Sequence, residues 1–412
     1  MGRNKFIAGL DIGTSKIAAI IGGVNENLRV EIIGFATVPS EGIREGVVVN
    51  LDRTVKSIEK AVEEAEKQAN VNVESLCVGI GGGCIRSQPS KGVIAISRSD
   101  TEITSRDVNR VIEQARAIPL PLEQEVIHVL PQKFIIDDQH GILDPLGMNG
   151  VRLETEVFIV SGTSTFLQNM IRCVNKAGFK IESLVFGPLA SSEAVLLPDE
   201  KSLGVVLVDI GAGKSDITIF IENGLSYTSS IPYGGDSITR DIAYGLKTSI
   251  PEAEELKKKS GCAFVDMVKE KETIVVSSVS RRNSRKVTRR SLNEIIEPRI
   301  EEILGLVGTE IQKSGYAELL PAGVVMTGGT SMMNGLEDLA KEILGLDVRV
   351  GLPCNVENLS DELMDPSYAL AIGLIQKGFN DESVPYKIIS RKSPAWFKRV
   401  MGPVSKLFEE VF

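Results

Sequence analysis

Two stretches of the chain place an aspartate and a glycine turn between β-branched segments. They are LDIGTSKIAAIIGG (Leu10 to Gly23) and VVLVDIGAGKSDITIF (Val205 to Phe220). A glycine turn lets backbone N–H groups point at one anion, because glycine reaches positive φ and has no Cβ in the way. Asp11 and Asp209 could hold Mg²⁺ through water molecules. This ion keeps several of its waters in proteins and takes its other ligands from carboxylates and from the phosphate oxygens of the substrate. The repeat predicts two hairpins that grip one triphosphate from opposite sides.

A third glycine turn follows the hydrophobic strand GVVMTGG. Gly328 and Gly329 are expected to open a helix at Met332, whose N-terminal amides would suit a phosphate or a ribose. A single Asp-x-Gly hairpin is more often an ordinary strand pair with a tight turn. The two copies together with this third turn favour a nucleotide cleft.

Length and composition limit the classes of protein to consider. A chain of 412 residues exceeds what one core usually serves, so two or more lobes are expected. The net charge of −9 argues against a general nucleic-acid binder. The five cysteines form no C-x-x-C pair and there are two histidines, so no zinc site is predicted. With no signal peptide and no apolar run of ~20 residues, we expect a soluble or peripheral protein of the cytosol.

The elements that must position these turns follow from the hydrophobic spacing. Strands are predicted before and after a helix in which Val55, Ile58, Val62 and Ala65 recur at helical spacing. Between Ile85 and Val160 the pattern becomes a strand, a helix capped by Thr104 and two more strands, which indicates a small inserted α+β module.

In their order, these motifs resemble the actin-like ATPases, and the resemblance narrows to the FtsA family of bacterial cell-division proteins. The matching stretches are DIGTSK, GVRLETEVFIVSG, GPLASS, VVLVDIGAGKSDI, IPYGGDSITRDIAYGL, IIEPRIEEIL and GVVMTGG, and they span nearly the whole chain. The resemblance implies an α/β, two-lobed, actin-like (ribonuclease H-like, duplicated) fold with an FtsA-type inserted α+β subdomain and a C-terminal amphipathic helix.

Domain boundaries follow from the resemblance and the pattern together. Lobe 1 would comprise residues 1–84, 163–202 and 358–378, with the inserted subdomain at 85–162. Lobe 2 would comprise 203–230 and 315–357, with a second subdomain at 231–314. A linker is predicted at 379–394 and a membrane-targeting helix at 395–412.

The resemblance also implies ATP and Mg²⁺ as cofactors. The expected nucleotide contacts are Gly13, Thr14, Ser15, Lys16, Gly211, Ala212, Gly213, Lys214, Gly235, Glu254, Lys257, Gly328, Gly329 and Thr330, with Asp11 and Asp209 serving the metal. Glu254 and Lys257 match a ribose-holding pair, although three residues apart on a helix they could equally form a solvated charge pair. Lys214 departs from the family pattern, so its ammonium could touch phosphate or point outward.

Weak hydrolysis at most is expected, because Gly187 stands where hydrolytic relatives carry a water-orienting acid. Loss of such a group costs on the order of 10² or more in rate. Glu193 could replace it only if its helix turned inward, which we do not expect.

The C-terminal tail, AWFKRVMGPVSKLFEEVF, has the pattern of an interfacial helix. Its apolar residues recur at steps of one, three and four, with basic residues mainly off that face. The predicted membrane contacts are Trp396, Phe397, Val400, Met401, Val404, Leu407 and Phe408. Docking on the chain's own core or on a partner is the alternative. Pro403 inside the stretch predicts two half-helices.

The resemblance implies a filament-forming, ATP-binding protein that anchors the FtsZ ring to the cytoplasmic face of the cell membrane. The implied partners are the FtsZ C-terminal tail, other copies of the chain, anionic lipid and later divisome proteins, with no nucleic acid. Arg299, in IIEPRIEEI, is the first candidate for pairing with the tail's carboxylates.

Three rival families share the cleft. A sugar or acetate kinase would need an aspartate base facing an acceptor hydroxyl. A chaperone ATPase would need a longer C-terminal domain, and a pilus-assembly relative is disfavoured by the inserted module and the tail. The basic run RRNSRKVTRR (Arg281 to Arg290) is interpreted as a solvated hairpin.

Overall fold

The computed structural model describes residues 5–25, 27, 29–96, 102–279, 284–357, 359–380 and 387–388. The predicted membrane helix at 395–412, with Trp396, Phe397, Val400, Met401, Val404, Leu407 and Phe408, lies outside the described residues. Within the described ranges, no helix is both long enough and apolar enough to cross a membrane.

The chain opens with a sheet and a covering helix. In chain order the elements are β1 (Lys5–Ile12), β2 (Lys16–Val24), β3 (Val30–Pro39), β4 (Ile43–Arg44), β5 (Val47–Val48), α1 (Leu51–Ala69) and β6 (Ser75–Ile80). The side chain of Asn50 accepts the N–H of Arg53 at 3.1 Å and thereby caps α1. Ile58, Val62 and Ala65 are fully buried on one face of α1, as their spacing predicts.

The inserted module forms its own antiparallel sheet with one helix. It consists of β7 (Ile85–Ala95), α2 (Ser105–Arg116), β8 (Gln124–Ile136), β9 (Gln139–Ile142) and β10 (Arg152–Thr163), in the sheet order β7-β10-β8-β9. Thr104 precedes α2, and its N–H donates to Asp107 Oδ2 at 3.0 Å. Gly162 pairs with Ile85, so the strands that enter and leave the module lie side by side.

The chain then completes lobe 1 and crosses to lobe 2. The crossing elements are α3 (Ser164–Lys176), β11 (Lys180–Phe186), α4 (Gly187–Val195) and α5 (Pro198–Leu203). The first sheet has the order β11-β6-β1-β2-β3, in which β1 to β3 are antiparallel and β6 and β11 run parallel to β1.

Lobe 2 contains the second sheet and most of the remaining helices. Its elements are β12 (Val205–Ile210), β13 (Ser215–Ile221), β14 (Gly224–Ile231), α6 (Gly235–Gly245), α7 (Ile250–Ser260), β15 (Thr273–Ser277), β16 (Ser284–Thr288), α8 (Arg289–Ser314), β17 (Val324–Thr327), α9 (Leu336–Leu344) and β18 (Val348–Val350). β15 and β16 form a hairpin of their own. Of the described part of the basic run, residues 284–288 form β16, in keeping with the hairpin interpretation, whereas Arg289 and Arg290 begin α8.

The two lobes repeat one topology. The second sheet has the order β14-β13-β12-β17-β18, and its strand directions match those of β3-β2-β1-β6-β11. Asp11 lies opposite Gly79 on the parallel neighbour of β1, and Asp209 lies opposite Thr327 on the parallel neighbour of β12. The two aspartates therefore occupy equivalent positions in a duplicated fold.

The last described elements return to lobe 1. They are α10 (Ala369–Asn380) and β19 (Lys387–Ile388), and β19 pairs with the start of β1. Helix α10 continues to Asn380, two residues into the predicted linker that starts at Phe379. Phe379 packs against the lobe 1 core.

Candidate nucleotide-binding site

The turns between β1 and β2 and between β12 and β13 have the same backbone hydrogen bond. The N–H of Gly13 donates to the carbonyl of Lys16 at 3.0 Å, and the N–H of Gly211 donates to the carbonyl of Lys214 at 3.0 Å. Both turns therefore close the same four-residue loop immediately after an aspartate-bearing strand.

The two turns lie against each other. A Cβ built on Gly213 would lie 2.8 Å from Thr14 Oγ1 and 2.9 Å from Cα of Glu45, so the space there suits only glycine. Thr14 Oγ1 also accepts the N–H of Gly46, at 3.0 Å. The tip of the second turn thus contacts both the first turn and the loop between β4 and β5.

Asp11 and Asp209 are the penultimate residues of β1 and β12, just before these turns. Burial raises the pKa of Asp11 to about 6, although Lys16 and Lys214 oppose the shift. Burial, and next Asp216, raise the pKa of Asp209 to about 7, while Lys214 opposes this rise. Burial makes the ionised form of both carboxylates unfavourable, and a cation beside them would stabilise that form.

This pair predicts a pH dependence of stability for the nucleotide-free chain. The folded-state pKa of Asp209 lies above the unfolded value near 3.8, so its stabilising contribution is complete below about pH 4 and is lost as the pH rises through about 7. We expect Asp209→Asn to gain on the order of 1–2 kcal/mol relative to the unaltered chain between pH 5 and pH 8, discounted for partial solvent access.

Urea unfolding at several pH values measures this change. Asp338→Asn, at an exposed position of α9, is the control. A difference between Asp209→Asn and the unaltered chain that stays constant with pH would contradict the assignment of a raised pKa to Asp209.

Lys214 lies between the lobes. Its side chain is 22% exposed and pairs with Asp216, which is the cross-strand neighbour of Asp209. A Cβ built on Gly82 of lobe 1 would lie 3.0 Å from Lys214 Cδ. The Lys214 ammonium is therefore held by Asp216 beside lobe 1, and its contact with phosphate stays a prediction.

The expected ribose pair is joined to the second turn by hydrogen bonds. Lys257 Nζ donates to the carbonyl of Gly235 at 3.0 Å and lies 2.7 Å from Glu254. The N–H of Gly235 in turn donates to the carbonyl of Gly211 at 2.9 Å. The side chain of Lys257 is 10% exposed and that of Glu254 is 33% exposed, so the pair is half-buried; its contact with a ribose stays a prediction.

Burial alone would raise the pKa of Glu254, but the neighbouring ammonium of Lys257 and the hydrogen bonds of this cluster lower it. Thr239 Oγ1 is one of the donors, at 2.5 Å from Glu254 Oε2. Glu254 therefore stays ionised and can accept hydrogen bonds from hydroxyl groups.

The third glycine turn meets Asp209. Gly328 has φ +83°, and a Cβ there would lie 2.4 Å from Asp209 Oδ1, so only glycine fits. Thr330 Oγ1 donates to the carbonyl of Gly211 at 3.1 Å. Gly328 and Thr330 therefore lie in the same cluster as the second turn.

The helix predicted to open at Met332 begins instead at Leu336. Residues Gly329–Met332 form a 3₁₀ turn, because the N–H and the hydroxyl of Ser331 both donate to the carbonyl of Gly328. Gly335, at φ +75°, separates this turn from α9. The amides nearest the site are those of the 3₁₀ turn.

Lys16 reaches a contact that the sequence did not indicate. Its Nζ donates to Ser367 Oγ at 2.7 Å and lies 3.4 Å from the centre of the Tyr368 ring. Burial lowers the pKa of Lys16, and Asp11 and Asp365 oppose this shift. The Asp365-Pro366 turn signal could have pointed to this segment.

Helix α4 carries both Gly187, where a water-orienting acid was not found in the sequence, and Glu193, the only replacement considered for it. Gly187 begins α4, and Glu193, further along that helix, forms an ion pair with Lys201 at 2.9 Å with a side chain that is 37% exposed. Ser191 of α4 is a neighbour of the site that the sequence reasoning missed, since its Oγ donates to Asp209 Oδ2 at 3.4 Å. The carboxylate of Glu193 is instead engaged by Lys201 of α5.

Arg299 lies on α8, in the subdomain beyond the cleft. Its Nε and Nη2 donate to the two carboxylate oxygens of Asp241 at 2.5 and 3.3 Å, and Nη1 pairs with Glu302. Across the described residues, no group of three or more acidic, histidine or cysteine side chains is arranged to hold a metal ion.

Comparisons with known proteins fit this architecture. A family model described as Cell division protein FtsA matches residues 206–373, and a model described as SHS2 domain inserted in FTSA matches residues 82–161. The PilM-PilN type IV pilus biogenesis complex superimposes with a TM-score of 0.66 at 18% identity, covering 90% of this chain and 98% of that chain. MreB5 of Spiroplasma citri bound to ADP gives a TM-score of 0.53 at 12% identity, covering 90% and 95%. These structures show the actin-like fold alone.

Curated relatives are much more similar in sequence. Cell division protein FtsA of Pseudomonas aeruginosa is 44% identical over 92% of this chain and 90% of the relative. The protein of the same name from Bacillus subtilis is 39% identical, over 96% and 88%, and that of Escherichia coli K12 is 36% identical, over 98% of both. The chain belongs to the FtsA family of actin-like cell-division proteins.

Proposed function

We propose that the cleft between the lobes binds ATP with Mg²⁺, and that the nucleotide-bound chain polymerises at the cytoplasmic face of the cell membrane and anchors the FtsZ ring there. The observation that carries the proposal is the contact between two equivalent glycine turns, each following a half-buried aspartate. A nucleotide that bridged these turns would join the two lobes.

Different residues of the cleft are expected to bind the phosphates, the metal ion and the ribose. The N–H groups of Gly13 and Gly211 already close their turns. The amides at the tips, those of Thr14 and Ser15 in the first turn and of Ala212 and Gly213 in the second, would bind phosphate oxygens. Asp11 and Asp209 would hold the ion through water, and the ion would offset the charge of the phosphates and carboxylates. Glu254 and Lys257 would bind the ribose. Position 187 carries a glycine, and Glu193 of the same helix pairs with Lys201, so binding is proposed rather than efficient turnover.

Gly213→Ala tests the role of the contact between the turns. The added methyl group would lie 2.8 Å from Thr14 Oγ1, so the lobes must separate and the affinity for Mg-ATP should fall about tenfold or more. Isothermal titration calorimetry measures the affinity.

Gly305→Ala is the matched control, because a Cβ at Gly305 meets nothing within 4 Å. Equal affinities for the unaltered chain and Gly213→Ala would contradict a nucleotide held by both turns. Failure of the unaltered chain to bind Mg-ATP would contradict the proposed function.

We also propose that Arg299 receives the FtsZ C-terminal tail. The guanidinium already pairs with Asp241 and Glu302, so a carboxylate of the tail would take the place of one of these partners. The FtsA family membership of the chain supports an FtsZ partner. The Arg299 side chain is 26% exposed, so an arriving carboxylate could reach the guanidinium.

Arg299→Glu should weaken binding of a tail peptide by about tenfold or more, since it replaces a bidentate donor with a repelling charge. Fluorescence anisotropy with a labelled peptide measures the affinity. Lys313→Glu, on the same helix at an exposed position, is the control and should bind normally. Unchanged binding by Arg299→Glu would place the peptide site elsewhere.

A further inference from the structure

Lobe 2 contacts the inserted module, and the lobe 1 glycine run that leads into the module, at two separated places. One contact lies in lobe 1, at the base of the module. Lys214, just before β13, packs on Gly81 and Gly82, where a built Cβ would lie 2.9 Å from its Nζ and 3.0 Å from its Cδ. The N–H of Ile85 donates to the carbonyl of Gly82 at 2.9 Å, so this glycine run leads directly into β7.

The second contact lies further out on the module. Lys133 of β8 forms an ion pair with Glu222, in the turn between β13 and β14. A Cβ built on Gly224 would lie 1.8 Å from Gln132 Oε1, so the Gln132 side chain lies directly on this turn. The turn itself is fixed to α5, because the N–H of Asn223 donates to the carbonyl of Lys201 at 2.9 Å.

The two contacts lie at opposite ends of one strand, β13. β13 begins at the second phosphate turn and ends at Ile221, and it is paired along its length with β12 and β14. Seven residues of strand span about 23 Å. A strand hydrogen-bonded on both sides moves as one body, so a displacement of the second turn must also displace the Glu222–Gly224 turn.

We propose that β13 couples the occupancy of the nucleotide cleft to the orientation of the inserted module, with Lys214 and the Glu222–Gly224 turn as its two contact points. Closure of the second turn on a triphosphate would move Lys214 against the base of the module and the Glu222–Gly224 turn against β8. The module would then lie differently relative to lobe 1 in the bound and unbound chain. This inference rests on the proposed nucleotide binding.

The outer contact can be altered without touching the cleft. Lys133→Glu and Glu222→Lys each place like charges at the ion pair, and the double variant restores opposite charges. The Lys133 and Glu222 side chains are 39% and 60% exposed, so the substitutions are compatible with folding. Lys91→Glu is the matched control, because Lys91 pairs with Glu156 within the module's own sheet.

Hydrogen exchange of each full chain, with and without the non-hydrolysable ATP analogue AMPPNP and Mg²⁺, measures the coupling, and calorimetry measures the affinity. We expect the analogue to slow exchange at least twofold in peptides from β7 and β8 of the unaltered chain, Lys91→Glu and the charge-swapped double variant. In each single variant at the Lys133–Glu222 pair, the β8 response should fall by half or more, with affinity within threefold of the unaltered value.

The outcomes separate the two proposals. An undiminished β8 response in both single variants, or no response in a chain that binds the analogue, overturns the coupling. A double variant that fails to regain the response also overturns it. If the unaltered chain does not bind the analogue, the proposed function fails and the coupling fails with it.

Discussion

Asp209→Asn is expected to lower the affinity for Mg-ATP by about 10- to 100-fold while leaving the fold intact. The substitution keeps the size of the side chain but removes one of the two negative charges that would hold the ion's water shell. Without Mg²⁺ the effect should shrink or reverse, because the carboxylate then only repels the phosphates. Calorimetric titrations with ATP in magnesium and in a chelator separate the two effects.

Asp338→Asn controls for a general effect of charge, since it removes the same charge from an exposed position in lobe 2. It should bind Mg-ATP like the unaltered chain. If Asp209→Asn loses the same affinity with and without Mg²⁺, Asp209 contacts the nucleotide in some other way and the assigned role in cation binding is wrong.

Removal of residues 393–412 is expected to abolish sedimentation with vesicles that contain anionic lipid. In the predicted interfacial helix, each large apolar side chain that is fully buried would contribute ~1.5 kcal/mol or more. Each nearby basic residue would add ~1 kcal/mol at an anionic surface. Together these terms exceed the cost of ordering a short helix, so the full chain should pellet and the truncated chain should stay in the supernatant.

Point variants distinguish the predicted apolar face from the rest of the tail. Phe397→Glu with Leu407→Glu places charge on that face and should abolish sedimentation, whereas Glu409→Gln with Glu410→Gln should not weaken it. High salt should reduce the binding of the full chain, because screening weakens the basic contribution. Equal sedimentation of the full and truncated chains would show that the tail is not the membrane anchor.

The parts of the fold that the sequence predicts are those with local signals. The Asp-Ile-Gly turns at Asp11 and Asp209 stand between β-branched runs, which is a hairpin signal that needs no distant partner. Their repetition predicts a duplication, and the two sheets have the same strand order. Helix α1 follows from its apolar spacing, and Thr104 marks the start of α2, because periodicity and caps lie within a few residues of each other.

The features that the sequence does not predict depend on contacts between distant segments. Lys16 meets Ser367, which is 351 residues away, and no local pattern records that contact. The direction of Lys214 is set by the packing of lobe 2 on Gly82. The segment Gly329–Met332 is closed as a 3₁₀ turn by the bonds of Ser331 to Gly328, and the Thr330 hydroxyl holds this turn against the distant carbonyl of Gly211. Tertiary hydrogen bonds here override the simple strand-to-helix pattern.

The contacts of Lys214 would link nucleotide binding to both lobes. Lys214 contacts both the second turn's own strand, through Asp216, and the glycine run of lobe 1. A ligand that drew this turn toward the first turn would therefore act on both lobes at once. The same movement would reach the inserted module through β13.

The most direct measurement is a structure of the full chain crystallised with Mg²⁺ and AMPPNP. We expect the phosphate oxygens to lie about 3 Å from backbone amides of both the Gly13 and the Gly211 turns, with Asp11 and Asp209 facing the same ion. A triphosphate held by one turn alone, or bound outside the space between the two, would contradict the proposal that the duplicated hairpins act on a single nucleotide.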